Sequence, residues 1–264
     1  MASWKVKRIK KQLRLRNPLL IEGLPGVGNV GKIAVDYLID TLKAEKVYEL
    51  ISHDIPHCVF VNEHNLVELP EIGIYQATMK GRTVLLLAGD VQPVSESSCF
   101  DFCHKVLGMF GGARGEVVTL GGIALPRVPK DPLVYCTGNS KRMVEKYKSR
   151  GVKTDIHGRV GPIVGVSGVL VGLAGKKNIP GATLLAETFG HPNYIGIRGA
   201  RNILRVLKEQ LKWDIELSDL DDEVNEIEEE IAKRASNVSR VNKLVKKGSE
   251  IGMMDDESER DYIG

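Results

Sequence analysis

Aromatic residues are scarce in this chain, at 5% of 264. That argues against the stacking platforms on which single-stranded nucleic acids are held. Neither sign of charge dominates: the formal net charge is +3, too small by itself to mark a nucleic-acid binder. No apolar run is long enough to span a bilayer, and the N-terminus lacks the apolar core of a signal peptide. The four cysteines, Cys58, Cys99, Cys103 and Cys136, form neither a C-x-x-C pair nor a disulfide framework. The expectation is a reduced, cytoplasmic protein that engages neither membrane nor nucleic acid. Its length allows one large domain with a full core, plus an appendage.

What is present is organised around Gly23-Leu24-Pro25-Gly26-Val27-Gly28-Asn29-Val30-Gly31-Lys32. The apolar run Pro18–Glu22 before it reads as a buried strand. Ile33, Val35, Leu38, Ile39 and Leu42 after it recur at helical spacing. Glycine is needed where the backbone takes positive φ or passes close to something. Two nucleotide patterns overlap in this turn. Gly26, Gly28 and Gly31 match G-x-G-x-x-G between a strand and a helix, with Glu49 as the candidate ribose-binding acid. Gly26 to Lys32 also matches G-x-x-x-x-G-K, but Ile33 stands where a P-loop needs Ser or Thr for magnesium. The other reading is structural: Gly23, Gly26, Gly28 and Gly31 let the helix pack tightly on its strand, and no cofactor is implied.

The first stretch is basic, from Lys5 to Arg16, and reads as an edge strand or short helix with a solvated face. Lys46–Ile51 is the second strand. His53 and His57 follow in a turn-rich connection, where Pro56 forbids the helical spacing that pairs histidines on a metal. Val59–Val61, Leu66–Leu69 and Ile72–Tyr75 are short β segments. Arg82–Ala88 reads as a central strand covered on both faces. Ser95 caps a helix to Phe110, whose Cys99, Cys103 and His104 read as packed side chains rather than zinc ligands. Val117–Leu120 is a strand ending at Gly121-Gly122, where an open α/β sheet would place a ligand crevice. Leu133–Thr137 is another strand, followed by a helix capped by Ser140. Gly161–Gly175 is rich in small residues that suit a helix set close to the sheet. Ser167 within it invites a nucleophile reading, but its surroundings are not G-x-S-x-G, and no local pattern brings His157 or His191 to it. Ala182–Glu187 and Ile195–Leu211 complete the pattern as strand and amphipathic helix. No metal or catalytic constellation stands out.

After Trp213 the composition changes. Leu217, Leu220, Val224, Ile227, Ile231, Val238, Val241 and Val245 follow a 3-4 alternation, the signature of a coiled-coil or long docking helix. Beyond Gly248 the chain is rich in Gly, Ser and acids, and ends in Asp261-Tyr262-Ile263-Gly264. Three regions are expected: an α/β domain over 1–213, a heptad-patterned helix over 214–248 and a disordered acidic tail over 249–264. Leu220, Val224, Ile227 and Ile231 are the candidate oligomerisation residues.

Taken together, the chain resembles the archaeal branch of the proteasome-assembly chaperone family. The resemblance rests on the Gly23–Gly31 turn, on Leu85-Leu86-Leu87-Ala88-Gly89-Asp90-Val91-Gln92-Pro93, on Leu120-Gly121-Gly122 and on Gly161–Glu187. It implies a three-layer α/β fold like that of phosphorylases and hydrolases, with a mixed sheet flanked by helices, here followed by the long C-terminal helix. It implies a non-catalytic chaperone or adaptor that forms homo- or hetero-oligomers and binds the 20S proteasome α-ring or a sister chaperone subunit. Some members of the family dock through a C-terminal hydrophobic-Tyr-any tripeptide. Here Tyr262 comes one place early and Ile263 holds the tyrosine's position, so Tyr262, Ile263 and Gly264 are the candidate partner-binding residues. The alternative is a nucleotide-binding enzyme using Gly26 to Lys32.

Overall fold

The computed structural model describes residues 4–10, 15–109, 115–148, 151–156, 161–218, 220–222 and 224. The chain divides into two compact units, Met1–Leu217 and Ser218–Gly264. The first is built on a nine-stranded mixed sheet. Its strands in chain order are β1 (Lys5–Arg8), β2 (Leu19–Glu22), β3 (Glu45–Ile51), β6 (Ile72–Met79), β7 (Arg82–Gly89), β8 (Glu116–Leu125), β9 (Val134–Gly138), β10 (Val152–Lys153) and β11 (Gly181–Phe189). Two further strands, β4 (Phe60–Val61) and β5 (Val67–Glu68), form a separate antiparallel hairpin. Across the main sheet the order is β1-β3-β6-β7-β2-β8-β11-β9-β10.

The middle of the sheet is parallel: β2 pairs with β7 and β8, and β8 with β11. Leu19, Leu20 and Ile21 of β2, and Val84 to Leu87 of β7, are all buried, because helices cover both faces of these strands. Helices α1 (Val30–Thr41) and α5 (Ile197–Leu211) pack together on one face. Helices α2 (Glu96–Gly108) and α4 (Val166–Lys176) pack together on the other. A short helix, α3 (Lys141–Tyr147), joins β9 to the parallel β10. This is the three-layer arrangement with a mixed sheet. The side chains of Ser95 and Ser140 cap α2 and α3, accepting from the backbone N–H of Ser98 and Met143.

Two sequence expectations need correction. The second strand, β3, does not lie beside β2 as a dinucleotide fold requires. It lies antiparallel between β1 and β6, and Glu49 on it pairs at 2.8 Å with Lys7. A ribose-binding role for Glu49 is therefore lost. Nor does β8 stop at Gly121-Gly122. It runs on to Leu125, because β11 offers it a matching backbone edge from Gly181 to Phe189. Of the basic first stretch, Lys5–Arg8 form the edge strand β1, while residues 11–14 lie outside the described residues. The strand is anchored by Trp4, whose indole N–H donates to Ser98 Oγ at 2.8 Å and whose ring meets Phe102 edge-on at 4.7 Å.

Candidate functional site

The motifs that looked unrelated in sequence converge where β2, β7 and β8 end. From β2 comes Glu22, with no exposed surface. One of its carboxyl oxygens accepts the Leu24 N–H at 3.0 Å. The other accepts the Ser167 hydroxyl at 2.9 Å, from the first turn of α4. Burial raises the Glu22 carboxyl to about 7, against the opposing pull of these two hydrogen bonds. From the loop after β7 comes Gln92. Its amide N–H donates to the Pro25 carbonyl, and its oxygen accepts the Val166 N–H at 3.1 Å. One side chain thus clips the glycine turn to the start of α4. From β8 comes Thr119, whose hydroxyl donates to the Ser167 carbonyl at 3.1 Å and shares a 2.9 Å hydrogen bond with Thr183 of β11.

The glycine turn lies against this cluster. A Cβ on Gly31 would lie 2.4 Å from the carbonyl oxygen of Leu120, and one on Gly23 would lie 2.1 Å from the carbonyl oxygen of Gly31. Gly28 has φ +62°, and a Cβ on it would lie 2.5 Å from the Thr188 hydroxyl. Gly122 leaves room for the carbonyl of Val27, so the turn itself fills the place of the expected crevice. Gly26 is exposed, and a Cβ on it would meet open space. Lys32 is 3.0 Å from Asp36 and 3.6 Å from Asp90. A P-loop lysine would be turned toward phosphates; this one lies between two carboxylates. Burial raises the Asp36 carboxyl despite Lys32 beside it.

Ser167 is half-buried, and its hydroxyl donates to the Glu22 carboxyl. His191 stacks on Phe189 and accepts the Asn193 N–H, while His157 lies outside the described residues. Among the described residues no group of three or more His, Cys, Asp or Glu side chains is arranged to hold a metal. Cys99 and Cys103 are buried. Among the described residues no helix is long and apolar enough to cross a membrane.

A second feature lies at the same end of the sheet. The connection from β3 to β6 carries the β4–β5 hairpin, and Val59, Phe60, Val61, Leu66, Val67 and Leu69 on it are all exposed, Leu69 at 74%. A groove of about 1440 Å³ beside it is lined by Leu50, His53, His57 and Ile72, among others. Val27, Val94, Val164 and Ile195 are exposed in other loops at this end.

Of the other predicted residues, Leu220 and Val224 are helical and buried. Ile227, Ile231 and the tail with Tyr262, Ile263 and Gly264 lie outside the described residues.

Fold and site together define a class: a three-layer α/β protein whose polar residues at the sheet's carboxyl end tie loops and helices together. The chain belongs to the PAC2 family, whose model matches residues 20–235. It is 30% identical to Pyrococcus furiosus PbaB, described as an archaeal proteasome activator. That structure superposes with a TM-score of 0.79 over 88% of this chain and 99% of PbaB. Pyrococcus furiosus PbaA, described as an archaeal homolog of proteasome-assembly chaperone, shares the fold at 23% identity and a TM-score of 0.72, over 93% of this chain and 98% of PbaA. An uncharacterized protein of Methanocaldococcus jannaschii is 29% identical over 86% of each chain.

Proposed function

We propose that this protein is a non-catalytic, cytoplasmic proteasome-assembly chaperone or adaptor that oligomerises and binds the 20S α-ring or a sister chaperone subunit. The observation that carries this reading is the likeness to PbaB, which extends over 99% of that chain at 30% identity. The packing of Glu22, Gln92 and Ser167 supports it, because each is engaged in joining elements of the fold. In this reading residues 1–213 form the body, the helix over 214–248 assembles copies through Leu220, Val224, Ile227 and Ile231, and the tail over 249–264 presents Tyr262 and Ile263 to the partner. Several tails on one oligomer raise the avidity.

The test is a pull-down of α-rings with the full-length protein, with a form lacking Tyr262–Gly264, and with a form carrying one residue added after Gly264. Retention by the first and loss by the second supports the tail. Equal retention by all three moves docking to the body, and no retention by any rejects the reading. The nucleotide-binding alternative predicts that ATP or NAD raises the melting temperature and that Lys32→Ala abolishes the shift. The pairing of Lys32 with Asp36 and Asp90 favours no shift.

A further inference from the structure

Among the described residues nothing covers the hairpin. Six large apolar side chains, Val59, Phe60, Val61, Leu66, Val67 and Leu69, stand in solvent on one short connection, whereas single exposed apolar residues are ordinary. A two-stranded hairpin is marginal on its own, so this one gains order when something packs on it. The charge around it narrows what that is. Residues 52–71 carry four acids, Asp54, Glu63, Glu68 and Glu71, and no Lys or Arg. A fitting surface is therefore apolar and basic.

The same chain has one next door. Strand β1 is the edge of the sheet, and every one of its residues is exposed. Lys5, Lys7, Arg8 and Lys10 fall within six residues that contain no acid, and Val6 and Ile9 among them are exposed. Lys7 is paired with Glu49 but remains 66% exposed, available to a second carboxylate. Lysine on an edge strand repels a like edge, so two β1 strands do not pair with each other. An acidic apolar hairpin removes that repulsion. The two surfaces also adjoin: Lys5 of β1 lies opposite Ile51, the residue that leads into the hairpin connection. Adjacent, oppositely charged patches form a self-complementary surface, which a two-fold axis satisfies twice.

We propose that the β4–β5 hairpin of one protomer docks on strand β1 of a second copy of this chain, in a reciprocal two-fold interface. This goes beyond the helix-mediated assembly suggested above and uses none of the residues after Trp213. The interface buries the apolar hairpin and sets Glu63 and Glu68 near Lys5 and Arg8 of the other copy.

Cys58 gives a direct reporter, since it is the exposed cysteine while Cys99, Cys103 and Cys136 are buried. In the full-length protein a maleimide should modify Cys58 slowly at high protein concentration and faster on dilution. Val67→Glu should halve the native mass measured by sedimentation while leaving the melting temperature unchanged. Glu63→Lys and Lys5→Glu should each weaken association, and the double variant should restore it. A Cys58 rate independent of concentration overturns the proposal. So does a Val67→Glu protein of unchanged mass. Protection of Cys58 only when α-rings are added overturns it as well and assigns the hairpin to that partner. Were Val67→Glu to misfold, the wild-type Cys58 rates still decide. Loss of α-ring binding with these outcomes intact would defeat the function proposed above and leave this interface standing.

Discussion

Ser167 donates a 2.9 Å hydrogen bond to the buried carboxyl of Glu22 across 145 positions of sequence. The bond fixes the first turn of α4 against the end of β2. What opposes burial at Glu22 is the Leu24 N–H and the Ser167 hydroxyl. Glu22 nonetheless holds its proton up to about pH 7 in the folded state, whereas an unfolded glutamate loses it near 4.5.

The sign of the resulting pH dependence follows. Between about 4.5 and 7 the folded state binds more protons than the unfolded state, so stability falls as pH rises. Glutamine has no proton to lose. The stability of Glu22→Gln relative to wild type should therefore increase by about 3 kcal/mol from pH 4 to pH 8, read from urea unfolding at several pH values. A flat difference across that range would mean that Glu22 is ionised in the fold.

Glu116 should show the opposite slope. Burial pushes its carboxyl up, but Lys146, Tyr147 and Arg82 outweigh this and hold it below the usual range. Lys146 approaches to 2.6 Å, the Tyr147 hydroxyl to 2.8 Å and Arg82 to 3.2 Å. This contribution is present above about pH 4.5 and is lost as pH falls through the lowered value. Glu116→Ala should cost about 3 kcal/mol, the low end for a broken buried pair, because Arg82 and Lys146 retain access to water. Tyr147→Phe should cost about 1 kcal/mol.

Substitutions in the glycine turn should separate two kinds of strain. Gly28→Ala places a side chain at φ +62° and 2.5 Å from the Thr188 hydroxyl, at a cost of about 1–3 kcal/mol. Gly31→Ala meets the Leu120 carbonyl oxygen at 2.4 Å. That atom belongs to a central strand and cannot rotate away, so Gly31→Ala should be the worse of the two in urea unfolding. If Gly28→Ala unfolds earlier than Gly31→Ala, the turn is held by its conformation more than by its closeness to β8.

Truncation after Trp213 should lower the native mass. The expectation rests on the heptad spacing that runs from Leu217 to Val245. Light scattering of full-length and truncated protein measures it. An unchanged mass would leave assembly to the body alone.

Much of the fold was legible in the sequence because local patterns carry local structure. The 3.6-residue spacing after the glycine turn is α1, the apolar run Arg82–Ala88 is the core of β7, and Ser95 and Ser140 are the caps of α2 and α3. Strand order was less legible. Nothing in Lys46–Ile51 says that β3 runs antiparallel, separated from β2 by the two strands β6 and β7. The polar cluster was hidden for a related reason. Glu22 ends an apolar strand, Gln92 follows another, and Ser167 sits in a run of small residues; only the sheet brings them together. The one available signal was a carboxylate closing a wholly apolar strand. The exposure of the hairpin was equally invisible, because short apolar runs bounded by turn residues predict a strand and say nothing about what covers it.

The place of β2 in the sheet bears on how the protein is made. This strand is completed by residue 22, yet its two neighbours are β7 and β8, and the second of them ends at Leu125. A ribosome adds about 5–20 residues per second. A wholly apolar strand edge must therefore wait on the order of ten seconds for its pairing partners. During synthesis Leu19, Leu20 and Ile21 are exposed to the cell's holding factors, so slowing translation between β2 and β8 should lower the yield of native protein more than slowing it after β11.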